Sequence, residues 1–204
     1  MRYAIGLAAV LMLAGCAGNP GRSGEPELDR DNTSRQAKGP RRKARPVARA
    51  MDRQLINEML VAHNRWRETI PVPPLAWSRA AANQAMVWAS QLAGESCKMR
   101  HNPDPARKKR FGENLYAYWR SKPYSGWHAD PELVVRKWGE ETQWYDDTTH
   151  TCSAPRGKTC GHYTQVVWQY TTHVGCARAR CEAAEVWVCN YEPRGNYLGV
   201  KPYE

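Results

Sequence analysis

The sequence predicts an α+β domain, because helical periodicity dominates the middle of the chain, two-residue alternation dominates its end, and six cysteines cluster in the last 108 residues. Residues 51–69 carry Leu55, Ile56, Met59, Leu60, His63 and Trp66 on one helical stripe, which Pro71, Pro73 and Pro74 terminate. A second helix opens at Ser78, whose hydroxyl suits an N-cap, and runs through Ala-rich sequence to a C-cap at Gly94. Asp130 before Pro131 marks a third start, with Leu133, Val134, Trp138, Glu141 and Tyr145 following at helical spacing. Strand-like runs cover residues 113–119, 162–168, 174–180 and 186–191. Helices first and antiparallel strands last make a layered α+β arrangement.

The 204 residues allow one or two domains. Nine Trp and ten Tyr, within a chain that is 42% hydrophobic, supply enough apolar surface for a core and exclude global disorder. Charge is uneven: ten of the 30 Lys and Arg, but four of the 20 Asp and Glu, fall in the first 50 residues, so most of the net +10 belongs to a tail.

That tail begins as an export signal. Arg2 precedes an apolar run over residues 4–13, far short of the roughly twenty residues a membrane span needs, so residues 1–15 read as a signal peptide. Leu13-Ala14-Gly15-Cys16 resembles the bacterial lipobox, which implies lipidation of Cys16 and an anchor in a bacterial membrane facing the periplasm or cell surface. Without lipidation the protein is secreted. Residues 16–50, beginning with the anchor cysteine, lack aromatics and read as a disordered basic tether, leaving 51–204 as the domain. The basic run at 38–46 suits an anionic lipid surface or is merely solvated; export argues against nucleic acid.

Setting Cys16 aside leaves Cys97, Cys152, Cys160, Cys176, Cys181 and Cys189, an even set expected to form three disulfides in an oxidising compartment. Spacing leaves all fifteen pairings open, and the absence of any C-x2-C pair argues against structural zinc. Four ionisable residues in apolar surroundings, His101, Glu113, Glu141 and His162, are the candidate chemistry. The imidazoles suit a divalent metal, with each carboxylate orienting a histidine; the alternative is a buried polar cluster that binds nothing. Their separations match no local metal motif such as HExxH.

The strings Gly161-His162-Tyr163-Thr164-Gln165-Val166-Val167-Trp168 and Cys189-Asn190-Tyr191-Glu192-Pro193-Arg194-Gly195-Asn196-Tyr197 closely resemble the two signatures of the CAP superfamily. That superfamily comprises cysteine-rich secretory proteins, antigen 5 and pathogenesis-related proteins of the first class. His63-Asn64-x-x-Arg67, Gly112-Glu113-Asn114-Leu115 and Trp138-x-x-Glu141 match in the same order, and the six cysteines resemble the plant subgroup. The resemblance implies a three-layer α-β-α sandwich with a central antiparallel sheet, and a large cleft holding His101, Glu113, Glu141 and His162 as a tetrad. It also implies that His101 and His162 hold Zn2+ or another divalent cation, while His63 packs the first helix.

Relatives often carry Ser after the first tetrad histidine; here that residue is Asn102, and no GxSxG string is present. No catalytic residue is therefore assigned firmly. A hydrolase or peptidase of the cell envelope would need the metal, with Glu113 or Glu141 as base. The favoured expectation is a membrane-tethered module binding a sterol, a fatty acid or a protein partner. Trp119-x4-Tyr124-x2-Trp127, in a loop that also holds Tyr116 and Tyr118, resembles the sterol-binding loop of yeast and plant relatives; the plainer reading is that these rings cover the core. Residues 107–110, Arg-Lys-Lys-Arg, read as a solvated basic loop placed to attract anionic ligands to the cleft. Residues 193–203 resemble a segment that plants release as a defence peptide and are expected to close the fold as a loop and terminal strand.

Overall fold

The computed structural model describes residues 47–120 and 126–204. The signal peptide, Cys16, the tether as far as residue 46, and Tyr124 lie outside the described residues. In chain order the elements are β1 (Val47–Ala50), α1 (Arg53–Glu68), β2 (Ala76–Trp77), α2 (Arg79–Gly94), α3 (Pro105–Arg110), β3 (Gly112–Trp119) and α4 (Pro131–Gly139). A 3-10 turn (Glu140–Trp144) leads to β4 (Tyr145–Asp146), β5 (Thr151–Cys152), α5 (Gly161–Val166), β6 (His173–Arg180) and β7 (Ala184–Glu192). No helix among the described residues is long and apolar enough to cross a membrane.

Side-chain caps start the three long helices where the sequence places them: Asp52 accepts from Leu55 N, Ser78 from Ala81 N, and Asp130 from Leu133 N. The sheet runs β1-β6-β7-β3, all antiparallel, with β2 adding a short parallel pairing to β6. Alternation along β6 and β7 sorts residues into two cores. Ala177, Ala179, Val186 and Val188 pack under Ala85, Trp88, Ala89 and Leu92 of α2. Val174, Cys176, Trp187, Cys189 and Tyr191 pack with Met59 of α1, Val134 and Trp138 of α4, and Tyr163 and Val166 of α5. The result is the three-layer α-β-α sandwich. α2 lies so close that a Cβ on Gly175 would stand 2.2 Å from Ala82 N.

Three disulfides form: Cys97–Cys181 joins the end of α2 to the β6–β7 turn, Cys176–Cys189 links directly opposed residues of β6 and β7, and Cys152–Cys160 closes the loop before α5. Such a set belongs to an oxidising compartment outside the cytosol.

Five expectations are corrected. Residues 162–168 are not a strand: 161–166 form α5. Tyr163, Val166 and Val167 are buried at helical spacing, and packing overrides the β-branched composition. The third helix stops at Gly139, where a Cβ would stand 2.0 Å from the Trp66 ring, and Glu141 lies on the 3-10 turn. The tether ends sooner than composition suggests, since 47–50 pair with β6. Residues 107–110 belong to α3 rather than a loop, and Arg107 is buried. Residues 193–203 do close the fold, but as turns rather than a strand; Tyr203 is buried, with its hydroxyl on Tyr163 OH and Asp147.

His63 is fully buried, its Nδ1 donating to Met59 O at 2.7 Å and its Nε2 accepting from Tyr191 OH at 2.9 Å. Burial pulls its pKa down to about 4 from 6.5. The unfolded chain therefore binds a proton that the folded one refuses between those values, and stability is lost as pH falls through that window. Urea denaturation should show a loss of about 3 kcal/mol from this group between pH 7 and pH 4. His63→Gln, less stable at pH 7, should decline with a shallower slope.

Candidate functional site

The four candidate residues stand as two histidine–glutamate pairs. Glu113 reaches its place on β3, paired with Asn190 of β7, with its side chain only 3% exposed. Its Oε1 accepts from His101 Nδ1 at 2.8 Å and from Asn102 N at 3.0 Å. Its Oε2 stands 3.1 Å from Arg107 Nη2, close enough for an ion pair but not aligned as a hydrogen bond. The second pair forms where the 3-10 turn meets α5: Glu141 Oε1 accepts from His162 Nδ1 at 2.6 Å, and its Oε2 accepts from the backbone N–H groups of His162 at 2.8 Å and Tyr163 at 3.2 Å. Trp138 stacks on His162, centroids 6.4 Å apart.

Asn114, next to Glu113, joins the pairs by donating to His162 O at 3.0 Å and to Tyr191 OH at 3.1 Å. Asn114 and Tyr191 are the residues that spacing arguments missed. The Gly-Glu-Asn and Cys-Asn-Tyr strings contain them, but nothing local says that they meet.

The carboxylates can only accept, so each imidazole carries its proton on Nδ1 and presents the lone pair of Nε2. Neither Nε2 has a hydrogen-bond partner among the described residues. Each Nε2 lone pair, backed by a carboxylate at Nδ1, is the kind of donor that metal-binding histidines use. No group of three or more His, Cys, Asp or Glu that could hold a metal is present among the described residues. Among the described residues, His101 and Glu113 line a cavity of about 230 Å³, and Glu141 lines another of about 340 Å³ with Lys137, Trp144 and Lys158.

The aromatic candidates divide. Trp119, at the end of β3, is 57% exposed. Trp127 is packed edge-on against Trp187 at 6.3 Å, with the Arg178 guanidinium 4.0 Å over its ring. Buried Glu185 accepts from the backbone N–H groups of His128 and Ala129 and pins the returning chain beside it.

The sequence model of the family described as CAP: Cysteine-rich secretory protein family matches residues 60–191. Pathogenesis-related protein PRMS of Zea mays is 42% identical over 148 residues, which cover 72% of this chain and 81% of that protein. Pathogenesis-related protein 1A1 of Solanum lycopersicum is 42% identical over 140 residues, 68% of this chain and 71% of that one. Among solved structures, venom allergen-like protein 4 of Schistosoma mansoni superposes with a TM-score of 0.57 at 24% identity, covering 76% of this chain and 96% of that one. NaASP2, in a crystal structure with Zn2+, gives 0.59 at 24% identity, covering 76% and 87%. At these identities the structural likeness establishes the fold alone.

The pairing has a spectroscopic consequence. Nitrogen-15 correlation spectra at pH 8 should show His162 wholly as the Nδ1–H tautomer. Glu141→Ala should mix the tautomers and, by orphaning two backbone donors, lower stability by about 2–4 kcal/mol.

Proposed function

We propose a function from the premise that this chain belongs to the CAP family of cysteine-rich secretory proteins. It is an exported, lipid-anchored binding module that holds Zn2+ or another divalent cation at its His/Glu pairs. It captures an apolar ligand, a sterol or fatty acid, or a protein partner.

One observation carries the metal reading: each imidazole is pinned at Nδ1 by a carboxylate while its Nε2 is unpartnered among the described residues. His101 and His162 would hold the ion, and Glu113 and Glu141 would orient the rings and raise their basicity. When bound, the ion would supply a Lewis acid that polarises a ligand oxygen. NaASP2, which shares this fold, has been crystallised with Zn2+. The exposed ring of Trp119 supports an apolar contact.

The alternative is a metal-dependent hydrolase or peptidase of the envelope, and the geometry favours it less. Each carboxylate that would serve as base already accepts from an imidazole and from backbone N–H groups. Asn102 takes the place of the serine that a nucleophilic mechanism would want. The lipid anchor rests on the string ending in Cys16.

Native mass spectrometry of the oxidised protein with zinc should show one bound ion, lost in His101→Ala/His162→Ala. Zinc uptake unchanged in that double variant would sink the metal reading. A panel of sterols and fatty acids in the same experiment should give a 1:1 adduct that Trp119→Ala weakens. Cys16→Ser should release the protein from the membrane fraction, and full retention would remove the anchor.

A further inference from the structure

The cavity beside His101 gathers three cations and a single carboxylate, with amide side chains between them. Its lining includes His101, Asn102, Arg107, Lys108, Glu113 and Arg194. The cations come from two separate segments, α3 and the chain after β7, which are laced together: Arg194 N donates to Arg110 O at 3.2 Å, and Arg194 Nη1 to Lys108 O at 3.1 Å. The Arg194 guanidinium also lies 4.6 Å over the Tyr197 ring. These contacts orient its charge without opposing it. Among the described residues, neither Arg194 nor Lys108 has a carboxylate at ion-pair distance, whereas neighbouring Arg110 is taken by Glu192 at 2.6 Å.

Arg107 is the buried member. It is 6% exposed, and its Nη2 is occupied by Asn190 Oδ1 at 2.6 Å and Gly112 O at 3.2 Å, beside Glu113. Its Nε has no partner among the described residues, although leaving such a group buried and unmade is costly. Asn102 accepts at Oδ1 from Asp104 N, which leaves its NH2 group to donate. The one carboxylate in the lining, Glu113, is already shared among His101, Asn102 N and Arg107. Three cations thus face one spent carboxylate. The walls are close-packed: a Cβ on Gly112 would stand 1.9 Å from Gln165 Oε1, and one on Gly195 would stand 2.7 Å from Gln165 Nε2.

We propose that this cavity is a phosphate pocket, in which Arg194 and Lys108 receive a dianionic phosphate group. Two uncompensated positive charges match a phosphate dianion, whereas a carboxylate would leave one of them unmet. At about 230 Å³ the cavity holds a phosphate and a small polar substituent but no acyl chain. A phospholipid would therefore enter by its headgroup alone. The proposal rests on reading this cleft as a ligand site and requires no metal at His101.

Isothermal titration of the full-length protein with inorganic phosphate, in low-salt and metal-free buffer, should give saturable 1:1 binding. Arg194→Gln and Lys108→Gln should each weaken it by about tenfold or more. Arg156→Gln removes an exposed charge outside this lining and should stay within about twofold of the unsubstituted protein. Equal weakening in Arg156→Gln and Arg194→Gln, or no saturation up to about 10 mM phosphate, would overturn the proposal. Vesicles of phosphatidylcholine with phosphatidic acid then separate the sources. Sedimentation lost in Arg194→Gln and competed by phosphate assigns a lipid headgroup; sedimentation indifferent to that substitution assigns a soluble phosphate ester. Arg194→Gln should keep its zinc, so failure of the phosphate pocket and failure of the metal reading register in different measurements.

Discussion

The position of α5, and with it His162, depends on a buried cation that pairs with no carboxylate among the described residues. Arg67, in the last turn of α1, is 1% exposed and spends its guanidinium on four carbonyls: Pro73 at 2.6 Å, Val166 and Trp168 each at 3.0 Å, and Thr171 at 3.1 Å. Burial pulls its pKa down to about 10, which still leaves it charged at neutral pH. Val166 is the final residue of α5, so the cation sits at the negative end of that helix, while Glu141 sits at the positive end on the N–H groups of His162 and Tyr163. A six-residue helix has little stability of its own. Opposite charges at its two termini, with Tyr163 and Val166 in the core, hold it in place. Removing Arg67 would orphan four acceptors, each worth about 1 kcal/mol or more.

The same economy governs the middle of the site. Asn114 donates both to the His162 carbonyl and to the Tyr191 hydroxyl, and that hydroxyl donates in turn to buried His63. The hydrogen-bond chain runs from a candidate ligand histidine to the first helix without reaching solvent. Polar residues here specify how α1, β3, β7 and α5 meet, and the apolar core supplies the driving force.

Much of this was legible in the sequence, for reasons that differ by element. α1 announces itself through a helical stripe, α2 and α4 through Ser78 and Asp130, and β3, β6 and β7 through short β-prone runs between turns. α5 was not legible. Thr164, Val166 and Val167 favour strands, and the deciding contacts come from Glu141 and Arg67, 21 and 99 residues away from their partners. β1 was hidden because Val-Ala-Arg-Ala is too short and plain to signal a strand; its partner, β6, lies more than a hundred residues on. Arg107 looked like one of four solvated charges, and only the fold selects it for burial against Glu113. The four site residues were legible, but not which histidine meets which glutamate, because strand and turn register, not sequence spacing, brings each pair together.

The strand that opens the domain has a mechanical meaning. β1 is the first described element, four residues laid antiparallel on the edge of β6, and none of the three disulfides reaches it. Tension arriving from the N-terminal side would load those few ladder bonds in shear before reaching any cross-linked part of the domain. Their rupture would release about 14 Å of extended chain and leave the rest of the sheet, its disulfides and both histidine–glutamate pairs in place. An edge strand outside the cross-links can thus part from β6 without any covalent bond breaking.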